Sequence, residues 1–229
     1  MIEDPPLLTI RRNFPRPEPA TVAAFAGIPT GYAVDAMGGR GALDSCIKPL
    51  APISSAVVGV AITCDCGPAD NLALFAALAA ARPGDFLVAA ADGFRAAAIA
   101  GDLLMGMARN RGVVGLVTDG VVRDLAGILA VGLPVFCAGV TPNSGVRNGP
   151  GTVGLPVVVG GAAVASGDLI IADGDGVVVV PLSEAGAVLG KLAAVRTAEA
   201  ALEAKVKAGL EVPDFIKAIL ASHRVVELP

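Results

Sequence analysis

Imidazole is almost missing from this chain. A single histidine, His223, serves all 229 residues, and there is no tryptophan and one tyrosine. A Ser-His-Asp or Cys-His constellation, or a zinc site rich in imidazole, would have to be built on that one tail residue, so these chemistries are set aside. Lysines number five (Lys48, Lys191, Lys205, Lys207 and Lys217), and all but Lys48 fall in segments that read as solvent-facing C-terminal helices. Schiff-base chemistry needs a desolvated lysine, which leaves Lys48 as its one candidate. No Gly-Lys-Ser/Thr phosphate loop occurs, and no Gly-x-Gly-x-x-Gly opens a helix. Charge is sparse too: 17% of residues are charged, against ~25% in typical soluble domains. The net charge is −4 and no basic run exceeds Arg11-Arg12, so no nucleic-acid partner is expected. The longest apolar stretch, Leu125 to Val140, is broken by Gly127, Gly132, Pro134 and Gly139, so no membrane span is expected either. Met1 to Pro19 is polar and proline-rich where a secretory signal needs an apolar core, which makes the cytoplasm the expected compartment. The four cysteines are then expected to be reduced thiols, and Cys64-Asp65-Cys66 has the wrong spacing for a zinc knuckle. Carboxylates, arginines, backbone amides and a bound metal remain for any catalysis.

Apolar residues, chiefly Ala, Val and Leu, reach 54%, and a soluble chain so short of charge is expected to cover part of its surface with copies of itself. Residues 1–29 read as an N-terminal extended arm, with five prolines before residue 20, lying on a neighbouring subunit. Residues 30–182 read as a core and 183–229 as a C-terminal helical extension. Helices are expected over Thr30–Met37, over Asn71–Arg82 after a capping Asp70, and from the Asp92-Gly93 turn to about Asn110, with Gly101 inside it or breaking it. Strands are expected over Val57–Thr63, Phe86–Ala91, Val113–Val117 and Leu133–Cys137. This strand–turn–helix repetition predicts parallel pairing with right-handed crossovers. Farther on, Asp168–Asp173 and Gly176–Pro181 flank Gly174-Asp175 as a hairpin, and the helical segments Ser183–Gly209 and Pro213–Ser222 end the chain. The predicted class is α/β with mixed or stacked sheets and C-terminal helices.

The stretch Gly115 to Asp124 carries the chemistry. A buried strand ends in Asp119-Gly120, and Arg123 and Asp124 follow just before the short helix expected over Leu125–Gly132. That places them where a strand feeds a helix, the edge at which open α/β sheets hold their ligands. A permanent cation beside a hard oxygen donor suits an anionic substrate held with Mg²⁺, the alternative being a surface ion pair.

The order of motifs is similar to that of a known family. Val34-Asp35-Ala36-Met37-Gly38, Asp70-Asn71-Leu72, Arg82-Pro83-Gly84-Asp85, Gly101-Asp102-Leu103-Leu104, Arg111 to Gly115, Asp119 to Asp124, Pro134-Val135-Phe136, Gly167-Asp168 and Asp173 to Pro181 occur in series. In this the chain resembles the family of the regulator of ribonuclease activity A (RraA-like). Within it, the chain resembles the class II 4-hydroxy-4-methyl-2-oxoglutarate / 4-carboxy-4-hydroxy-2-oxoadipate aldolase branch. Where many members have Gly-Glu-Leu, this chain has Gly-Asp-Leu. The resemblance implies a layered α/β/β/α swivelling-domain-like fold, assembled as a homotrimer or homohexamer with active sites between subunits. It implies cleavage of a 4-hydroxy-2-oxo acid to pyruvate and a second oxo acid, with oxaloacetate decarboxylation as a side activity; a non-catalytic role in binding a ribonuclease is the other function known in such a family. By the same matching, Asp124 would ligate Mg²⁺ or Mn²⁺, Arg123 would grip the 2-oxo acid, and the backbone N–H groups of Gly101, Asp102, Leu103 and Leu104 would meet its carboxylate. Asp102 would bond the metal's waters. The base for the substrate's 4-hydroxyl would be such a water or Glu199, reaching over from the adjacent subunit. Arg40 and Arg147 could meet a distal carboxylate or serve an interface. The family's occasional methyltransferase label finds no adenosylmethionine loop here.

Overall fold

A computed structural model of the chain describes residues 5–228. In chain order, a short strand β1 (Leu8–Ile10) is followed by helices α1 (Pro19–Ala24) and α2 (Thr30–Ala36), then strands β2 (Lys48–Pro49) and β3 (Val57–Asp65). Helix α3 (Leu72–Ala80) leads to β4 (Asp85–Ala90) and β5 (Ala98–Ala100); α4 (Asp102–Asn110) leads to β6 (Gly115–Thr118) and β7 (Val121–Val122). After α5 (Leu125–Val131) come β8 (Val135–Cys137), β9 (Gly151–Val153), β10 (Val157–Val159), β11 (Ala162–Val164), β12 (Leu169–Ala172) and β13 (Val177–Val180), and the chain ends with α6 (Ala185–Lys207) and α7 (Asp214–Leu220).

Strands β3, β4, β6 and β8 pair in parallel in that order and form the centre of the main sheet. The first half of β3 also pairs antiparallel with β12, Leu169 opposite Val60, and β12 pairs with β13. Because a strand presents alternate residues to opposite faces, the central strands feed two cores at once. Ile62, Cys64, Leu87 and Ala89 face a core packed with Leu74, Leu78, Leu104, Met105 and Ile128 from the helices α3, α4 and α5. Ala61, Phe86, Val88 and Ala90 face the opposite way, onto Val157, Val159, Val164, Ile170 and Val179. A third core joins the outer faces of β12 and β13 to α2 and α6. The layering is therefore helix, sheet, sheet, helix, the mixed α/β architecture with C-terminal helices expected from the sequence. Burial on both faces explains why the parallel strands read as continuous apolar runs and not as alternating ones.

Three segments differ from the sequence reading. The segment after Asp92-Gly93 is not helical until Asp102: Ala98–Ala100 form β5, which pairs in parallel with β7, and Gly101 is the extended residue before α4. Three alanine-rich residues have no periodicity of their own, so tertiary pairing decides them. The arm is also more structured than expected and lies on its own chain. Within it β1 pairs with β9 and α1 starts at Pro19, while Arg16 makes a two-pronged ion pair with the buried Asp85. Pro19 sits at the start of α1, where a helix has no use for the missing N–H. Finally, Lys48 is exposed and donates to the Asp175 carbonyl, so no desolvated lysine is present there for imine chemistry. Among the described residues no helix is long and apolar enough to cross a membrane.

Candidate active site at the starts of two helices

Strand β5 is the scale on which the site is laid out. The Arg123 N–H donates to the Ala100 carbonyl at 2.9 Å, which brings the residues after β7 alongside the residues after β5. Arg123 and Asp124 then precede α5, just as Gly101 precedes α4. Asp124 is the residue before the first helical turn and lies in the left-handed region, at φ 58° and ψ 45°. Only Asn, Asp and Gly enter that region with ease, and residues held there cluster at functional sites. Asp124 Oδ2 meets the Arg123 Nε at 3.1 Å, and the two side chains remain 38% and 41% exposed. The pair is open to solvent, not sealed in the core.

Two glycines show how tightly the pieces are fitted. A Cβ placed on Gly101 would stand 2.5 Å from Asp124 Oδ2 and 3.2 Å from Arg123 Cγ. A Cβ on Gly127, in the first turn of α5, would stand 2.4 Å from Asp102 Oδ2 and 2.6 Å from Asp102 Cβ. Real Cβ contacts do not come so close, so a side chain at either position would displace the acid it faces. The arrangement is reciprocal: the acid at the start of α5 lies over the glycine before α4, and the acid at the start of α4 lies against a glycine of α5. Arg123, Asp124, Gly101 and Asp102 are thus brought together.

Leu103 and Leu104 continue the first turn of α4, with Leu104 buried and Leu103 exposed. The amides of that turn have no partner within the helix, except that the Leu103 N–H donates to Asp102 Oδ1 at 2.7 Å. Glu199 is not part of this grouping within one chain. It is exposed on α6, a helix packed against α2, and it forms no hydrogen bond or ion pair with Arg123 or Asp124. Arg40 is engaged elsewhere, with Glu184 at 2.8 Å and the Met37 carbonyl. Arg147 lies over the Phe75 ring, 4.9 Å from its centroid.

A hard divalent cation fits the donors that are free. Among the described residues no group of three or more His, Cys, Asp or Glu side chains could hold an ion, so a cation would take one or two carboxylates and keep waters. Mg²⁺ binds in that manner, whereas structural zinc does not. Asp124 is bonded only to Arg123, and Asp102 only to its neighbour's amide, which leaves lone pairs on both.

Two polar residues at the edge of this site escape a reading of the sequence for chemistry. Asn71 Nδ2 donates to the Ile99 carbonyl of β5 at 3.0 Å, while its Oδ1 is buried without a partner. Ser144 Oγ accepts from Arg123 Nη1 at 3.0 Å. Asn71 stands within the Asp70-Asn71-Leu72 motif, but Asn143-Ser144-Gly145 looks like any turn.

A profile of RraA-like proteins, described as Aldolase/RraA, matches residues 30–179. The chain belongs to this family. A "Putative 4-hydroxy-4-methyl-2-oxoglutarate aldolase" of Halalkalibacterium halodurans is 41% identical over 170 residues, 74% of this chain and 80% of that protein. Among solved structures, RraAS2 of Streptomyces coelicolor, titled an unusual member of the RNase ES inhibitor RraA protein family, superposes with a TM-score of 0.74 at 29% identity, over 83% of this chain and 99% of its own. The RNA-processing inhibitor RraA from Thermus thermophilis gives 0.61 at 26% identity, over 67% of this chain and 92% of its own. The matched span of the RraA-like family takes in both helix starts that carry Asp102 and Asp124.

Proposed function

We propose that this RraA-like protein is a divalent-metal-dependent aldolase, a carbon–carbon lyase that splits a 4-hydroxy-2-oxo acid into pyruvate and a second oxo acid and decarboxylates oxaloacetate as a side activity. The observation that carries this reading is the grouping of Asp124, Arg123 and Asp102 at two adjoining helix starts, each acid seated against a glycine. The relative from Halalkalibacterium halodurans, whose printed name is that of such an aldolase, supports it.

Cleavage breaks the C3–C4 bond of the substrate. The 4-hydroxyl loses its proton and becomes the carbonyl of the departing oxo acid, while the bonding electron pair moves through C3 to the 2-oxo oxygen; C3 then takes up a proton, which balances the one lost, and the enolate becomes pyruvate. Asp124, with Asp102 beside it, would hold Mg²⁺ or Mn²⁺, which when bound supplies the Lewis acidity that draws charge onto the 2-oxo oxygen. Arg123 offers a permanent charge to the same oxygen as the negative charge develops there. Beside the ion pair with Asp124 and the bond to Ser144, its other N–H groups remain for substrate. The first amides of α4, at Gly101, Asp102 and Leu104, bind the 1-carboxylate, an anion at a helix N-terminus, while that of Leu103 is held by Asp102. Asp102 accepts from water at the reacting centre. The 4-hydroxyl proton would pass to a water at the site or to Glu199 of a second copy of the chain. The exposed Leu103, Met107, Leu125 and Leu129 on α4 and α5 give such a copy an apolar seat beside the site, consistent with a homotrimer or homohexamer.

The test is a coupled assay for pyruvate over a panel of 4-hydroxy-2-oxo acids and oxaloacetate, with Mg²⁺, with Mn²⁺ and with chelator. Metal-dependent release is expected for at least one. Absence of release from every acid, together with capture of a ribonuclease, would replace this reading with that of a non-catalytic regulator.

A further inference from the structure

Arg123 is gripped at two points, and only one of them is the neighbouring acid. Nε meets Asp124, and Nη1 donates to Ser144 Oγ at 3.0 Å from a loop twenty-one residues farther along the chain. That loop is fastened on both sides of the serine. The Ala98 N–H donates to the Asn143 carbonyl at 2.9 Å, and the Gly145 N–H donates to the Ala98 carbonyl at 3.1 Å. Asn143 Nδ2 adds a bond to the Ala96 carbonyl at 2.9 Å, and Val146 N–H one to the Ala69 carbonyl at 2.7 Å. Gly145 passes so close to the carbonyls of Ala69 and Ala98 that a Cβ there would stand 2.8 Å from each oxygen. The same strand that fastens the serine loop at Ala98 fastens Arg123 at Ala100. The relative position of Ser144 Oγ and the guanidinium is therefore set by backbone bonds to one short strand, before any substrate arrives.

We infer that Ser144 is a positioning residue for Arg123: its hydroxyl holds the guanidinium in one rotamer, with the arginine stem against Gly101. This rests on the aldolase reading of the site and extends it to a residue outside the recognised motifs. An arginine side chain has many rotamers, and fixing one in advance removes an ordering cost from the reacting state. Asp124 alone cannot do this, because a single contact at Nε leaves the group free to rotate about it.

The decisive experiment is a double-mutant cycle. Ser144→Ala is expected to lower kcat/KM for pyruvate release about tenfold, the usual scale of a hydrogen bond to a charged group, with thermal stability and Mg²⁺ dependence unchanged. Ser144→Thr, which keeps the hydroxyl, restores most of it. In an Arg123→Lys background, where the fork is gone, Ser144→Ala is expected to cost less than about twofold. A tenfold loss that persists in that background, or no loss in Ser144→Ala alone, overturns the proposal. Calorimetric binding of oxalate with Mg²⁺ runs the same cycle without turnover: coupling there supports the role of Ser144 even if no acid in the panel releases pyruvate, and its absence counts against it.

Discussion

The carboxylates of this protein fall into two regions that use the same side chain in opposite ways. At the loop clamps, each acid is consumed by the fold. Asp70 accepts from the amides of Leu72, Asn148 and Gly149, Asp168 from those of Ala165 and Leu182, and Asp119 from those of Ala91 and Gly93. At the starts of α4 and α5, Asp102 and Asp124 have one bond each and open faces. A saturated carboxylate holds loops in place, while an unsaturated one held by steric fit is available to a cation or a water. Asp70, with three amides on its carboxylate, and Asp124, with none, stand at the two ends of that contrast.

The sharpest way to break this comparison is to remove the charge from one acid of each kind. Asp124→Asn keeps the shape and the left-handed backbone that asparagine also tolerates. Loss of about 100-fold or more in metal-dependent pyruvate release is expected, with an unchanged melting temperature. Asp70→Asn is expected to do the reverse, since it keeps one acceptor oxygen but cannot receive three amides. A loss of roughly 1–3 kcal/mol in urea unfolding should accompany near-normal turnover at low temperature. Equal stability losses in the two variants would erase the distinction.

A smaller effect tests the steric half of the argument. Gly101→Ala puts a methyl group where Asp124 Oδ2 and the Arg123 stem now lie, so the acid must move. About a tenfold fall in activity, together with weaker Mg²⁺ dependence, is expected from a displacement of this kind. Gly127→Ala should act through Asp102 instead. If either variant matched the parent in both readouts, the close fit would have no functional meaning.

Much of this arrangement is legible before any coordinates. The strand ahead of Asp119-Gly120, expected over Val113–Val117 and found over Gly115–Thr118, shows as a continuous apolar run, and the helix before Gly132 shows its stop signal. Arg123 and Asp124 stand out because the chain has so few other groups that could do chemistry. What stays hidden is whatever depends on partners far apart in sequence. Strands β5 and β7 are three and two residues long, too short to show alternation, and exist because they pair with each other. Ser144 reaches Arg123 only through the bonds of its loop to Ala98. The pairing of Gly127 with Asp102 brings together positions on different helices that no local rule connects. Glu199, exposed on α6, has no local signal in the sequence that ties it to Arg123 or Asp124.

The smallest expected effect concerns pH and probes the clamp side of the comparison. Burial raises the Asp119 carboxyl above its ordinary value, and the amides of Ala91 and Gly93 offset that only in part. A carboxyl whose folded pKa lies above its unfolded one binds protons more readily in the native state. Its protonated form is favoured by folding, so its contribution is greatest below the ordinary aspartate range and is lost as pH rises through the raised folded value. Asp119→Asn cannot titrate. The stability difference between parent and variant should therefore shift against the parent as pH climbs from about 3 to 6, read as the difference in urea midpoints. A difference that stayed flat, or moved in the parent's favour, would mean that the two amides outweigh desolvation at Asp119.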